Sequence, residues 1–90
     1  MKKQIQIKIT GLVQGVFFRK YTVQKATELS ITGFIKNMPD DSVYIEAYGD
    51  DEVLSLFVDW CYTGSPQSQV ENVEVTEMKI ATGFSRFEIR

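Results

Sequence analysis

The chain has 90 residues, of which 43% are hydrophobic and 24% charged, and its formal net charge is −2. This length suits a single domain over residues 1–90 with one core, and a monomer is expected. The sequence contains no histidine and one cysteine, which excludes a serine–histidine–aspartate triad, a thiolate-rich zinc centre and an internal disulfide. No apolar run is long enough for a membrane span or a signal peptide, so the expected location is the cytoplasm.

The charges are distributed unevenly along the chain. Residues 1–27 contain no acidic side chain and have a net charge of +6, whereas the remaining residues have a net charge of −8. Chance and packing would account for part of this asymmetry. It nevertheless favours a local anion site over a surface for nucleic acid, because the acidic remainder would repel a long polyanion.

The first predicted strand covers residues 4–10, in which apolar and polar residues alternate. Its inward-facing side chains are Ile5, Ile7 and Ile9. A glycine-bounded loop follows over residues 11–15. Residues 19–30 then place apolar side chains at helical spacing and predict the first helix. Residues 33–48 predict a hairpin of two strands with a turn at 38–42.

The second helix is predicted from Asp50, which suits the N-cap position, to a stop at Gly64 and Pro66. Its buried stripe is predicted from apolar residues at helical spacing: Val53, Leu56, Phe57, Trp60 and Cys61. Two strands complete the chain, within residues 70–80 and 84–90. The apolar phase of the first slips between Val75 and Met78, which predicts a bulge or a bend there.

This element order predicts an α+β fold of the ferredoxin-like type, a split βαβ sandwich with the order βαββαβ and a short additional C-terminal strand. Two helices should cover one face of a mainly antiparallel sheet. A right-handed crossover would make the first two strands parallel, with one strand between them. Their C-terminal ends would therefore lie at the same edge of the sheet.

The loop before the first helix has the features of an anion site. Unpaired N–H groups and the helix dipole create positive potential at a helix start. Gly11 and Gly15 permit a backbone that directs several N–H groups to one point. Arg19 lies at this same end, where a cation is unfavourable unless an anion is bound beside it. The competing interpretation is a tight turn with Arg19 in solvent.

Asn37 ends the second predicted strand, at the same sheet edge as the loop. Its amide is suited to holding a water molecule next to an anion bound at Arg19. Asparagine is equally suited to begin the turn that follows, and the residues alone leave these two roles open.

Two stretches of the sequence resemble the signatures of the acylphosphatase family. The first runs from Ile9 to Arg19 and includes the string Val-Gln-Gly-Val-Phe-Phe-Arg, and the second is Gly33-Phe34-Ile35-Lys36-Asn37. Gly64-Ser65-Pro66 and the valine-rich strand after it also resemble the family, so the likeness covers nearly the whole chain.

The resemblance implies hydrolysis of acyl phosphates to a carboxylate and inorganic phosphate, with no metal or cofactor. It implies that Arg19 binds the phosphoryl group, that Asn37 orients the attacking water, and that the bound phosphate accepts the water's proton. Backbone N–H groups of the loop would bind the phosphoryl group as well: Gln14, Gly15, Val16, Phe17 and Phe18. The side chains of Phe17 and Phe18 are expected in the core or the pocket wall. A small acyl phosphate is then the expected partner, with phosphate or sulfate as a product-like ligand and no membrane or nucleic acid.

The sequence departs from the family pattern at three positions. Ser30 and Asp41 stand where the family usually has glycine, and Ile35 stands where a smaller residue is common. The first two are expected to affect turn conformation or stability, and Ile35 to shift Asn37 slightly.

Two other functions are compatible with the predicted fold. A non-catalytic regulatory module that binds phosphate or another anion would need the loop and Arg19 but not the amide of Asn37. An RNA-binding domain would use exposed aromatic residues on the open sheet face, such as Tyr44 and Tyr48. Glu46 lies between these tyrosines in sequence and disfavours RNA.

Overall fold

Within residues 1–81 and 83–90, which the computed structural model describes, five strands and two helices follow one another in the predicted order. The strands are β1 (Lys2–Leu12), β2 (Thr32–Asn37), β3 (Val43–Asp50), β4 (Gln69–Met78) and β5 (Phe87–Ile89). The helices are α1 (Phe18–Glu28) and α2 (Asp51–Thr63). None of the helices in this part of the chain is long and apolar enough to cross a membrane.

The strands form one mixed sheet in the order β4-β1-β3-β2-β5. Strand β3 pairs antiparallel with both β1 and β2, so β1 and β2 are parallel with one strand between them, as predicted. Strand β4 pairs antiparallel with β1, and β5 pairs parallel with β2. The C-terminal ends of β1, β2 and β5 consequently share one edge of the sheet.

The core lies between the sheet and the two helices, which cover the same face. The predicted inward residues of the central strands are buried: Ile5, Ile7, Ile9, Val43, Ile45 and Ala47. Cys61 is buried in this core, and desolvation raises the pKa of its thiol to about 12. A thiol in this setting is a packing residue and not a nucleophile.

The stripe predicted for α2 is wrong at one position. Leu56 is 57% exposed, whereas Leu54 is buried together with Phe57 and Cys61. The helix begins at Asp51, and Asp50 takes the N-cap position without a side-chain cap hydrogen bond. Instead, the Asp50 carboxylate forms ion pairs with the N-terminal amine and with Lys2.

The bulge lies in β4 as predicted, but at another position. Pairing with β1 is regular from Met78 to Asn72, and the register then shifts so that Gly11 pairs with Val70. Glu71 is therefore the residue without a pairing partner. The break in the apolar pattern between Val75 and Met78 does not correspond to a bulge. Val75 forms a regular pair with Ile7, and its side chain is 44% exposed.

Two of the departures from the family pattern lie in left-handed backbone conformations. Ser30 has φ 58° and Asp41 has φ 70°. Ser30 follows the end of α1, where its N–H donates to the Thr27 carbonyl and the Ile31 N–H donates to the Ala26 carbonyl. This pair of bonds is a Schellman ending, which glycine usually occupies at the left-handed position. Ser30 and Asp41 thus each have a Cβ atom at a backbone position that glycine would adopt without strain.

We expect Ser30→Gly to raise the free energy of unfolding, because glycine adopts the left-handed conformation without steric strain. In the left-handed conformation, a residue with a Cβ atom lowers the stability of the folded state by roughly 1–2 kcal/mol. The greater freedom of glycine in the unfolded chain offsets about half of this difference. A net gain of about 0.5–1 kcal/mol should appear in urea unfolding followed by circular dichroism. Ser30→Ala keeps the Cβ atom and is the control. Equal midpoints for the two variants would contradict the strain explanation.

Candidate functional site

The site is built on residues 13–17, the junction loop, which connects β1 to α1. Strand β1 continues through Gly11 to Leu12, so the loop begins two residues later than the first glycine. Gly15 has φ 74° and Phe17 has φ 62°. Glycine adopts this left-handed region freely, whereas a phenylalanine does so at a cost. A left-handed residue next to a right-handed one turns successive N–H groups toward one point, and left-handed Phe17 directly precedes helical Phe18.

The backbone N–H groups of residues 14–20 are available for an external acceptor. In the part of the chain that the structure describes, none of them donates a hydrogen bond, and the first donor of α1 is the Tyr21 N–H, which bonds the Phe17 carbonyl at 3.2 Å. Phe17, the N-cap residue, has no side chain that caps the helix. The helix start therefore presents unsatisfied donors and the positive end of its dipole.

Two cations accompany these donors. Arg19 and Lys20 lie in the first turn of α1, which contains no acidic residue. Among the described residues, no carboxylate lies within ion-pairing distance of either side chain. Both line a pocket of about 280 Å³ together with Val13, Gly15, Phe17, Phe18 and Ile89. We refer to it as the cationic pocket.

The side chain of Gln14 ties the junction loop to the β2–β3 turn. Its Nε2 donates to the carbonyls of Met38 and Ser42, both at 2.9 Å. Gln14 is thus a structural anchor through its side chain, while its N–H remains free. The bond to Met38 places the loop directly beside the residue that follows Asn37.

A second anchor comes from the connection between α2 and β4. The Ser65 hydroxyl is buried and donates to the Val16 carbonyl at 2.7 Å. Phe18 is 1% exposed and packs in the core. At Gly64, a Cβ atom would lie 2.5 Å from the Phe18 ring, so this glycine permits the close approach of the connection to the helix start.

Asn37 ends β2 at the sheet edge that carries the junction loop. Its Oδ1 is buried and has no hydrogen-bond partner among the described residues. A buried amide oxygen without a partner is unfavourable by about 1–3 kcal/mol, so its retention is typical of a group that binds a water molecule or ligand. Asn37 does not line the cationic pocket, but the Gln14 side chain links the junction loop to Met38, the next residue. Ile89 lines that pocket and pairs with Ile35, two residues before Asn37.

The turn after Asn37 is held by Asp40. Its carboxylate accepts hydrogen bonds from the Ser42 hydroxyl and from the Ser42 N–H, the latter at 3.0 Å. The Ser42 hydroxyl, then its N–H and Lys8, which lies 3.2 Å away, lower the pKa of Asp40 to about 2. The hydrogen bonds of the turn are therefore made by its own residues, and the Oδ1 atom of Asn37 takes no part in them among the described residues.

Three lining residues of the cationic pocket are not among the site residues predicted from the sequence: Val13, Lys20 and Ile89. Lys20 directly follows Arg19 in the acid-free first third, and this second cation is the signal that could have found it. Ile89 lies 70 residues from Arg19 along the sequence, and only the parallel pairing of β5 with β2 brings it to this edge. The two phenylalanines differ: Phe18 is in the core, and Phe17 is 65% exposed and forms pocket wall.

The open face of the sheet gives little support to RNA binding. The Tyr44 hydroxyl donates to Glu46 at 2.7 Å and lies 3.0 Å from the Gln6 amide oxygen. Burial and this carboxylate raise the pKa of Tyr44 to about 12. The tyrosine is engaged within the sheet, and the acidic group beside it would repel a phosphate backbone.

Comparison with known proteins agrees with this geometry. The acylphosphatase family model matches residues 5–89. The chain is 43% identical over 75 residues to an acylphosphatase of Shewanella amazonensis, covering 83% of this chain and 82% of that one. It is 42% identical to an acylphosphatase of Syntrophobacter fumaroxidans, covering 98% and 91%. The crystal structure of an acylphosphatase from Bacillus subtilis matches with a TM-score of 0.94 at 38% identity, covering 100% and 99%. The chain belongs to the acylphosphatase family.

Proposed function

We propose that this protein hydrolyses the carboxyl–phosphate bond of acyl phosphates, with the junction loop and Arg19 binding the phosphoryl group and Asn37 orienting the attacking water. One observation carries this assignment: among the described residues, the N–H groups of residues 14–20 have no acceptor and the neighbouring Arg19 has no ion-pair partner. The family assignment favours this enzyme over a non-catalytic module that binds anions.

Phosphoryl binding follows from the donors at the helix start. The N–H groups of Gln14, Gly15, Val16, Phe17 and Phe18 surround the phosphoryl oxygens. The guanidinium of Arg19 donates two parallel hydrogen bonds, which match the spacing of two phosphoryl oxygens. Lys20 adds positive potential to the pocket and attracts a dianion from solution. These groups stabilise the charge that spreads over the equatorial oxygens in the transition state.

The nucleophile is a water molecule held at Asn37. One hydrogen of this water satisfies the buried Oδ1, and its lone pair faces the phosphorus atom. As the P–O bond to the water forms, the bond to the carboxylate oxygen breaks on the opposite side of phosphorus. The water's second proton passes to a phosphoryl oxygen, so the products are a carboxylate and inorganic phosphate. Because a carboxylate is a good leaving group, positioning and charge stabilisation supply the catalysis.

Turnover of benzoyl phosphate in the presence of excess chelator tests the reaction class. We expect hydrolysis at the same rate with and without chelator, and competitive inhibition by inorganic phosphate. An unrelated phosphate monoester is the control substrate, and it should be stable because its alkoxide is a poorer leaving group. Binding of phosphate without any turnover would instead support the regulatory module.

We further propose that the enzyme acts as a cytoplasmic monomer without a cofactor. The pocket walls described above all come from one chain, and the anchors at Gln14 and Ser65 are internal to it. Light scattering of the active protein should give the mass of a single chain.

A further inference from the structure

A second pocket shares the wall residue Phe17 with the cationic pocket. Its volume is about 210 Å³, and its walls are Val16, Phe17, Tyr21, Pro66 and Gln67. These residues carry no formal charge, whereas the first pocket contains Arg19 and Lys20. Phe17 belongs to both pockets, so the uncharged space and the cationic one share one side chain as a wall. We refer to it as the apolar pocket.

The walls of the apolar pocket are fixed to the junction loop. The Ser65 hydroxyl bonds the Val16 carbonyl at 2.7 Å, which sets the position of the neighbouring Pro66. The Tyr21 N–H bonds the Phe17 carbonyl at 3.2 Å. A loop movement that disturbed the phosphoryl site would therefore also disturb this pocket, and the two are positioned as one unit.

Phe17 is unusual in both exposure and conformation. Its side chain is 65% exposed, and its backbone has φ 62°. A bulky residue in the left-handed region is strained, and such strain concentrates at functional sites. Tyr21, one helical turn later, is also exposed, at 38%. Two partly exposed aromatic side chains thus line the apolar pocket.

We propose that the apolar pocket binds the acyl substituent of the substrate, and that Tyr21 with Phe17 makes the enzyme prefer aromatic acyl phosphates to acetyl phosphate. This inference rests on the proposed function. Aromatic rings pair with one another in offset or edge-to-face contact, and the uncharged walls suit a neutral acyl group. A methyl group on the carbonyl carbon is too short to fill this space.

The order of the strands in the sheet supports placing the acyl leaving group at the apolar pocket. In-line displacement requires the leaving group on the side of phosphorus opposite to the water. Asn37 lies on β2, which is on the β3 side of β1 in the sheet order. Pro66 and Gln67 precede β4, the neighbour of β1 on its other side. The water and the acyl group would consequently occupy opposite flanks of the junction loop.

Tyr21→Ala tests the inference through substrate preference. We expect kcat/KM for benzoyl phosphate to fall by roughly twofold to tenfold, the range of a lost aromatic pair. In this variant, kcat/KM for acetyl phosphate and the inhibition constant of inorganic phosphate should equal those of the unmodified protein. Tyr21→Phe retains the ring and should retain the preference. Tyr62→Ala removes a 59% exposed tyrosine from α2 and is the matched control.

The outcomes separate this inference from the proposed function. If the unmodified protein hydrolyses both substrates and Tyr21→Ala lowers both equally or neither, the acyl subsite is wrong and the proposed function stands. If the unmodified protein hydrolyses neither substrate, the proposed function itself is wrong, and the subsite fails with it. A selective loss for benzoyl phosphate supports the subsite.

Discussion

Replacing Arg19 by alanine should remove both phosphate binding and turnover. The guanidinium has no carboxylate partner in the described part of the chain, so its loss breaks no internal ion pair. It also removes an unfavourable cation from the start of α1, and we expect the melting temperature to be unchanged or slightly higher. For kcat/KM with benzoyl phosphate we expect a loss of at least about 10³-fold, because both ground-state binding and transition-state charge depend on this group.

Two other variants make the Arg19→Ala result specific. Arg19→Lys keeps the charge but not the fork of two parallel donors, and it should recover only a small part of the rate. Lys25→Ala removes a cation from the same helix, where it pairs with Glu28, and should leave the rate unchanged. Wild-type inhibition by inorganic phosphate in Arg19→Ala would contradict the assignment of Arg19.

Asn37→Ala should separate catalysis from binding. Loss of the group that orients the water is expected to lower kcat by about 10²–10³-fold. The inhibition constant of inorganic phosphate should stay within about twofold, since the phosphoryl donors remain in place. Because the Oδ1 atom is buried and has no hydrogen-bond partner among the residues that the structure describes, its removal should not destabilise the fold, and chemical denaturation provides this check.

The control for Asn37→Ala is Asn72→Ala, which removes an exposed asparagine of β4. It should match the unmodified protein in rate and in phosphate inhibition. An Asn37→Ala variant that loses phosphate binding in parallel with turnover would indicate that Asn37 contacts the phosphoryl group. In that case its role as a water ligand would be wrong.

The sequence predicted those features that local patterns determine. Alternation of apolar residues in β1 and β3 fixed which faces are buried, because a strand has only two faces to choose from. Glycine positions and the acid-free first third indicated an anion site at the junction loop. The parallel relation of β1 and β2 followed from the handedness of crossovers.

Features decided by packing between distant segments could not be predicted in this way. Residues 53–61 contain so many apolar side chains that two helical phases are possible, and contact of α2 with the sheet selects Leu54 over Leu56. The bulge at Glu71 depends on the register with β1 and not on the apolar phase of β4 itself. The role of Ile89 depends on a three-residue strand finding its partner beside Ile35.

The strand order β4-β1-β3-β2-β5 has a consequence for how activity is acquired. The pocket walls come from the first and last thirds of the chain, and Asn37 comes from the middle third. A partly folded molecule in which any one of these segments is unpaired therefore lacks a complete substrate site. Acquisition of activity during refolding should therefore coincide with the last long-range pairing. An oxyanion that binds only the finished molecule shifts the folding equilibrium by mass action, so substrate itself would protect the enzyme against denaturation.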